Sequence, residues 1–245
     1  MNIKYSLSII VFIVALLIVS GSYAAAPKTV RGERVVQTSL PPVCETIGEI
    51  AAVKCKKNPI ISRLGCDDIK PPPFYWGGLK PYLPIAICLK YRGASSSEYV
   101  RQTGCKMQVR EQYALLQKKK KGHKMLLIKD KQSFKSFFAP IESGPEALSY
   151  ITALTSSYPV YEFSEQYFIR SMDEDGAYTG GKLKPTEVWE KKDGWHVRLF
   201  DHVRCGCHRP ELFEIEYVVT KDGYITQKKK KTVWQANRLY NICID

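Results

Sequence analysis

The chain is poor in the signatures that mark catalysis. It has no Gly-x-Ser-x-Gly, no His-Glu-x-x-His, no phosphate-cradling Walker loop and no dinucleotide fingerprint. Their absence sets aside the common serine-hydrolase, zinc-protease and nucleotide-dependent readings. Histidine is scarce, at four residues. Acidic residues are outnumbered, 24 against 37 Lys and Arg, for a net charge of +13. That imbalance points to acidic surfaces, polyanions or acidic proteins as partners and carries no information about fold. Beyond residue 24 no apolar run approaches the roughly 20 residues a spanning helix needs, so the mature chain is expected to be soluble.

The first 24 residues have the look of a secretory signal. One lysine (Lys4) precedes a nearly continuous apolar run from Leu7 to Val19, and Ser22-Tyr23-Ala24 places small residues where a signal peptidase reads them. The apolar run is short for an uncleaved anchor, and the nearest cysteine, Cys44, is too distant for a lipid-anchored start. The expected localisation is therefore secreted or periplasmic.

The eight cysteines agree with export. Cys44, Cys55, Cys66, Cys88, Cys105, Cys205, Cys207 and Cys243 all follow residue 24, and an even count in an exported chain reads as a disulfide framework. Five lie before residue 110 and three after residue 200. If all pair within the chain, at least one bridge must join the two halves.

Three regions are expected: a signal peptide over 1–24, a cysteine- and proline-rich region over 25–105, and an α+β domain over 106–245. Ile47, Ile50, Ala51 and Lys54 recur at helical spacing between Glu45 and Lys57. Residues 70–84 hold three consecutive prolines and Phe74-Tyr75-Trp76, a proline-rich aromatic connector expected in a polyproline II state, read as an ordered surface loop pinned by its rings ahead of a recognition surface. A strand is expected over 85–91, and a hairpin over Val109–Leu116 and Lys124–Lys129 with a basic tip. Ser133 opens a short helical piece carrying Phe134, Phe137 and Phe138. Ser143-Gly144-Pro145-Glu146 is a capping box with proline in the first turn, and Ala147, Leu148, Ile151 and Leu154 form an apolar face behind it.

The last third reads as four strands: Thr186–Glu190, Trp195–Phe200, Leu212–Thr220 and Tyr224–Trp234. Asp193-Gly194 and Asp222-Gly223 supply hairpin turns. Trp195, Val197 and Leu199 share one face; Phe213, Ile215, Tyr217 and Val219 share another. The fold class is α+β, a helix packed on an antiparallel β-meander. Over about residues 143–234 this element order resembles the cystatin-like outline, which implies a helix across a sheet and no function.

The sites that could carry function are few. Lys118, Lys119, Lys120 and Lys121 form one lysine run, and Lys228, Lys229, Lys230 and Lys231 another. A buried lysine row is prohibitively costly, so the second run is expected to fray, bulge or form an exposed edge, where lysine also blocks aggregation. Both runs are candidates for binding an acidic protein, a polyanion or an anionic membrane surface. The aromatics lie elsewhere, which argues against specific nucleic-acid binding. His202, Cys205, Cys207 and His208 could bind zinc or exchange disulfides. Their spacing suits neither well, and structural bridges are the simpler reading in an exported chain. His196 alternates with the apolar face of its strand and reads as a surface residue. Asp173-Glu174-Asp175-Gly176 is too sparse for a calcium loop. No cofactor is expected. The leading function is a non-enzymatic exported binding or inhibitory module. The alternatives are a thiol-disulfide or metal-dependent enzyme using the Cys205–Cys207 loop, and a structural envelope or matrix protein.

Overall fold

The structure is a computed structural model that describes residues 29–31, 64–90, 98–103, 109–120, 123–161, 163, 176–179, 183–203 and 209–237. Several expectations lie outside these residues: the signal segment, the helix over Glu45–Lys57, six of the cysteines (Cys44, Cys55, Cys105, Cys205, Cys207 and Cys243), and the acidic turn over 173–175.

Helix formation begins where the local chemistry asks for it. In α2 (Gly144–Leu154) the Ser143 hydroxyl accepts from the Glu146 amide, and the Glu146 carboxylate accepts from the Ser143 amide at 3.1 Å. Both partners of the capping box are thus present. The preceding helix, α1 (Lys131–Phe138), starts two residues earlier than Ser133 suggested, because Asp130 is the cap. Its carboxylate accepts from the Ser133 amide at 2.7 Å and from the Ser133 hydroxyl at 2.9 Å. Ser133 is the third helical residue and donates to the cap.

The C-terminal strands, with one N-terminal strand at an edge, form a large antiparallel sheet. Strands β1 (Thr29–Arg31), β7 (Gly176–Tyr178), β8 (Glu187–Lys191), β9 (Gly194–Val203), β10 (Glu211–Val219) and β11 (Ile225–Ala236) are ordered β1-β8-β9-β10-β11-β7. The meander β8-β9-β10-β11 is as expected. Its inner face carries Val188, Val197, Leu199, Ile215, Tyr217 and Val219, all buried.

A second sheet comes from the other half of the chain. It holds β2 (Asp68–Lys70), β3 (Ile85–Lys90), β4 (Arg101–Thr103), β5 (Val109–Lys118) and β6 (His123–Ile128). β3 pairs along one edge of β5, and β4 and β6 share its other edge, at Val109–Glu111 and Tyr113–Lys118 respectively. Strands from either side of residue 105 are therefore hydrogen-bonded in one sheet. β3 is buried on both faces. Ile85, Ile87 and Leu89 join the main core, while Ala86 packs with Ile69 and Ala114 in a small cluster outside it.

The two sheets close over α2 from opposite sides. Every residue of this helix except Pro145 is buried, where the sequence indicated a single apolar face. Tyr113 of β5 donates its hydroxyl to the Ala153 carbonyl, and Arg101 of β4 donates to the Thr152 carbonyl at 3.1 Å. From the large sheet's side, Tyr150 donates to the Gly223 carbonyl at 3.1 Å. The second sheet makes α2 an interior helix, whose buried Glu146, Ser149 and Thr152 are satisfied by an ion pair and hydrogen bonds. The protein is α+β and mostly β. The helix-then-meander order is present, but the second sheet over the helix departs from the cystatin-like outline.

The proline-rich segment completes the enclosure. Phe74–Trp76 forms a 3-10 turn, Trp76 and Leu79 are fully buried, and the Ser149 hydroxyl donates to the Tyr75 carbonyl at 2.9 Å. Gly78 lies so close to α2 that a β-carbon there would sit 2.2 Å from the Pro145 oxygen. This is a loop pinned by its rings, with Phe74 left exposed at 59%.

Candidate binding surface on the outer face of the large sheet

Strand alternation sends every second residue of the meander away from the helix. With Val197 and Leu199 inward, His196, Arg198, Phe200 and His202 of β9 point outward. On β10 the outward set includes Leu212, Glu214 and Glu216. The register places Arg198 opposite Glu216 and Glu187, and places Glu216 and Glu214 opposite Lys229 and Lys231 of β11.

One end of this outer face is closed by a second small core. Phe200, Leu212, Val233 and Trp234 pack with Val160, and Tyr158 bridges to Phe200 through paired backbone hydrogen bonds of 2.8 and 3.0 Å. His202, one of the candidate metal or redox residues, lies here with its ring edge-on to Trp234 at 6.0 Å. Cys205, Cys207 and His208 lie outside the described residues, and among those described no group of three His, Cys, Asp or Glu is arranged to hold a metal ion.

The other end is charged. Arg198 donates to Glu187 at 2.8 Å and approaches Glu214 at 3.8 Å. His196 is the chief departure from the sequence reading: it is 4% exposed and not a surface residue. Its Nδ1 lies 2.8 Å from Glu216 and its Nε2 lies 2.8 Å from Asp193. Trp189 of the neighbouring strand stacks on the ring at 5.5 Å. Alternation correctly predicts the face His196 occupies, but the cover comes from Trp189 and two carboxylates that alternation does not see. Both ring nitrogens are engaged by carboxylates. The hydrogen bond from His196 holds the Asp193 carboxyl below its ordinary range, helped by the nearby Lys228 charge.

The Lys228–Lys231 run forms the rim of this region. All four lysines are exposed, and β11 pairs with β10 through register shifts at Leu212/Phe213 and Glu216/Tyr217. On its other side β11 is paired with β7 at Trp234–Ala236, so the lysine stretch is an edge among the described residues. The expected bulged, exposed edge is what the strand adopts. Lys228 sits 3.7 Å from Asp193, and Lys230 lies 3.8 Å over the Phe213 ring on the inner side. Lys229 and Lys231 face outward. Together with Lys184 and Arg198 they line a groove of about 290 Å³ floored by Glu214 and Glu216, with Leu183 and Val233 at its apolar end.

No protein-family model, curated protein or solved structure matches the chain. The surface must be read from its own chemistry.

The other lysine run is on the other sheet. Lys119 and Lys120 are exposed at the β5–β6 hairpin tip, Lys118 ends β5, and Lys121 lies outside the described residues. Of the cysteines, Cys66 and Cys88 are bonded to each other. The bridge ties the start of the small sheet to its β3 strand. Sequence reasoning found the lysines of the groove but missed Lys184, Arg198, Glu214 and Glu216. The available signal was the alternation of Glu214 and Glu216 with Phe213, Ile215 and Tyr217, which marks a charged outer face.

Proposed function

We propose that this protein is an exported, disulfide-stabilised binding module that holds an anionic partner on the outer face of its large sheet, without catalysing a reaction. The observation that carries this reading is the lysine strip of β11 bordering a groove with four cations and two carboxylates in its lining. Concentrated positive charge beside a concave surface raises the local concentration of an anion and speeds its capture. The Cys66–Cys88 bridge and the apolar leader fit export to an oxidising compartment, secreted or periplasmic. The helix-and-meander half keeps the order of a cystatin-like outline, but the second sheet covers its helix, so the groove is a better basis for binding than that likeness.

The test is retention of the full-length exported chain on an immobilised polyanion across a salt gradient. Retention should fall steeply with salt and weaken when lysines are neutralised. Intact mass of the exported chain should show a start near residue 25 and no free thiol. Elution at the salt expected of a neutral protein would overturn the binding reading. A free Cys205–Cys207 pair would favour thiol exchange in its place.

A further inference from the structure

We infer that the groove on the outer face of the large sheet takes an acidic saccharide, a sugar chain bearing sulfate or carboxylate groups together with free hydroxyls. This rests on the binding reading above and names its ligand class. The argument is the mixed lining. Lys184 and Lys229 have no carboxylate partner among the described residues, and Lys229 and Lys231 stand two residues apart on one face, roughly 7 Å along the strand. They present a pair of ammonium groups at a spacing suited to successive anionic substituents. Between them and Arg198 lie Glu214 and Glu216.

Those two carboxylates decide the class. A polyphosphate or DNA backbone offers them only like charge, which costs binding energy. An acidic peptide brings carboxylates of its own, with backbone N–H groups in place of the several hydroxyl donors of a sugar ring. A sugar unit offers hydroxyl donors, and a carboxylate is an acceptor-only group that binds them well. The apolar end at Leu183 and Val233 suits the C–H face of a sugar ring. The volume of about 290 Å³ is near the lower end of small-ligand clefts, enough for one sugar unit with the chain continuing along β11. The hairpin tip at Lys119 and Lys120 has charge without such acceptors in its described surroundings, so it serves as an internal control.

The experiment is calorimetric titration of the full chain at near-physiological salt with four probes: a sulfated heparin-type hexasaccharide, an oligogalacturonate carrying carboxylates alone, oligoglutamate and tripolyphosphate. At least one of the two saccharides should bind more tightly than either oligoglutamate or tripolyphosphate, and which of them binds identifies the anionic group. The double variant Lys229→Gln/Lys231→Gln should lose about tenfold or more in saccharide affinity, since charged hydrogen bonds are lost. Lys119→Gln/Lys120→Gln, with the same change in net charge, should lose less than about threefold. Glu214→Gln should weaken the saccharide and strengthen tripolyphosphate. All the substituted lysines are exposed, and circular dichroism verifies folding of each variant. Equal losses in the two lysine pairs would overturn the groove and leave a non-specific polyanion binder. Tighter binding of oligoglutamate would make the partner an acidic polypeptide and also overturn it. Failure of all four probes to bind would remove the binding reading itself.

Discussion

The two sheets handle charge in opposite ways. The small sheet buries its ion pair. Arg101 and Glu111 meet at 2.6 Å with side chains about nine-tenths buried, and Arg101 lies 5.3 Å over the Trp76 ring. The guanidinium also donates to the Thr152 and Thr155 carbonyls, at the C-terminal end of α2, where a cation satisfies orphan acceptors and complements the helix dipole. Burial works against the charged form of Arg101, but the surrounding Tyr113, Glu111 and Tyr75 raise its pKa on balance. The large sheet buries apolar side chains on its inner face, with Lys230 at the exposed edge of that side, and sends Arg198, Glu214, Glu216, Lys229 and Lys231 outward. The contrast separates two roles. Charge sealed between sheet and helix holds the fold; charge around the open groove is where the proposed ligand would bind.

The sharpest way to break this comparison is at Arg101. Arg101→Met leaves the buried Glu111 carboxylate and two helix carbonyls without their partner, and should cost about 3–5 kcal/mol of unfolding free energy. Urea titration measures it, and a change of under about 1 kcal/mol would show that the pair is not a structural clamp. Next comes the Cys66–Cys88 bridge, which spans 22 residues of sequence. Its replacement by a Cys66→Ala/Cys88→Ala pair should cost about 3 kcal/mol, read by the same titration against wild type.

A smaller loss is expected at the shared helix. Ser143→Ala removes the side-chain half of the capping box and should cost about 1 kcal/mol, visible as a lowered thermal midpoint. On the outer face, Asp193 supplies a pH test. Its carboxyl is held below the ordinary aspartate range in the folded protein, so its contribution is present above that range. It is lost as pH falls through the lowered native value. Asp193→Asn should therefore flatten the acid limb of stability slightly, as measured by unfolding midpoints between neutral and strongly acidic pH. The smallest effect belongs to Lys229→Gln/Lys231→Gln, which should alter stability by less than about 0.5 kcal/mol while weakening anion binding. A large stability loss there would erase the distinction between the two sheets.

Much of the large sheet was legible in the chain. Asp193-Gly194 and Asp222-Gly223 marked its turns, and Val197, Leu199, Ile215 and Val219 marked its inner face. The capping box located α2 to the residue. α1 was displaced because Ser133 and Asp130 are both competent caps, and the structure uses Asp130. The groove was half legible. The lysine run announced an exposed edge, whereas Lys184 and Arg198 reach it from a loop and a strand distant in sequence. His196 was assigned the correct face and the wrong burial.

What the sequence by itself determined is local: which segments become helices and strands, where they turn, which residues of a strand share a side, and the excess of positive charge. These follow from backbone preference, capping and period-two alternation, each of which acts over a few residues. Tertiary structure alone decided that a second sheet covers α2, that Arg101 is sealed against Glu111 and Trp76, and that Trp189 covers His196. Alternation assigns a side chain to one face of a strand, and burial depends on what other part of the chain packs against that face.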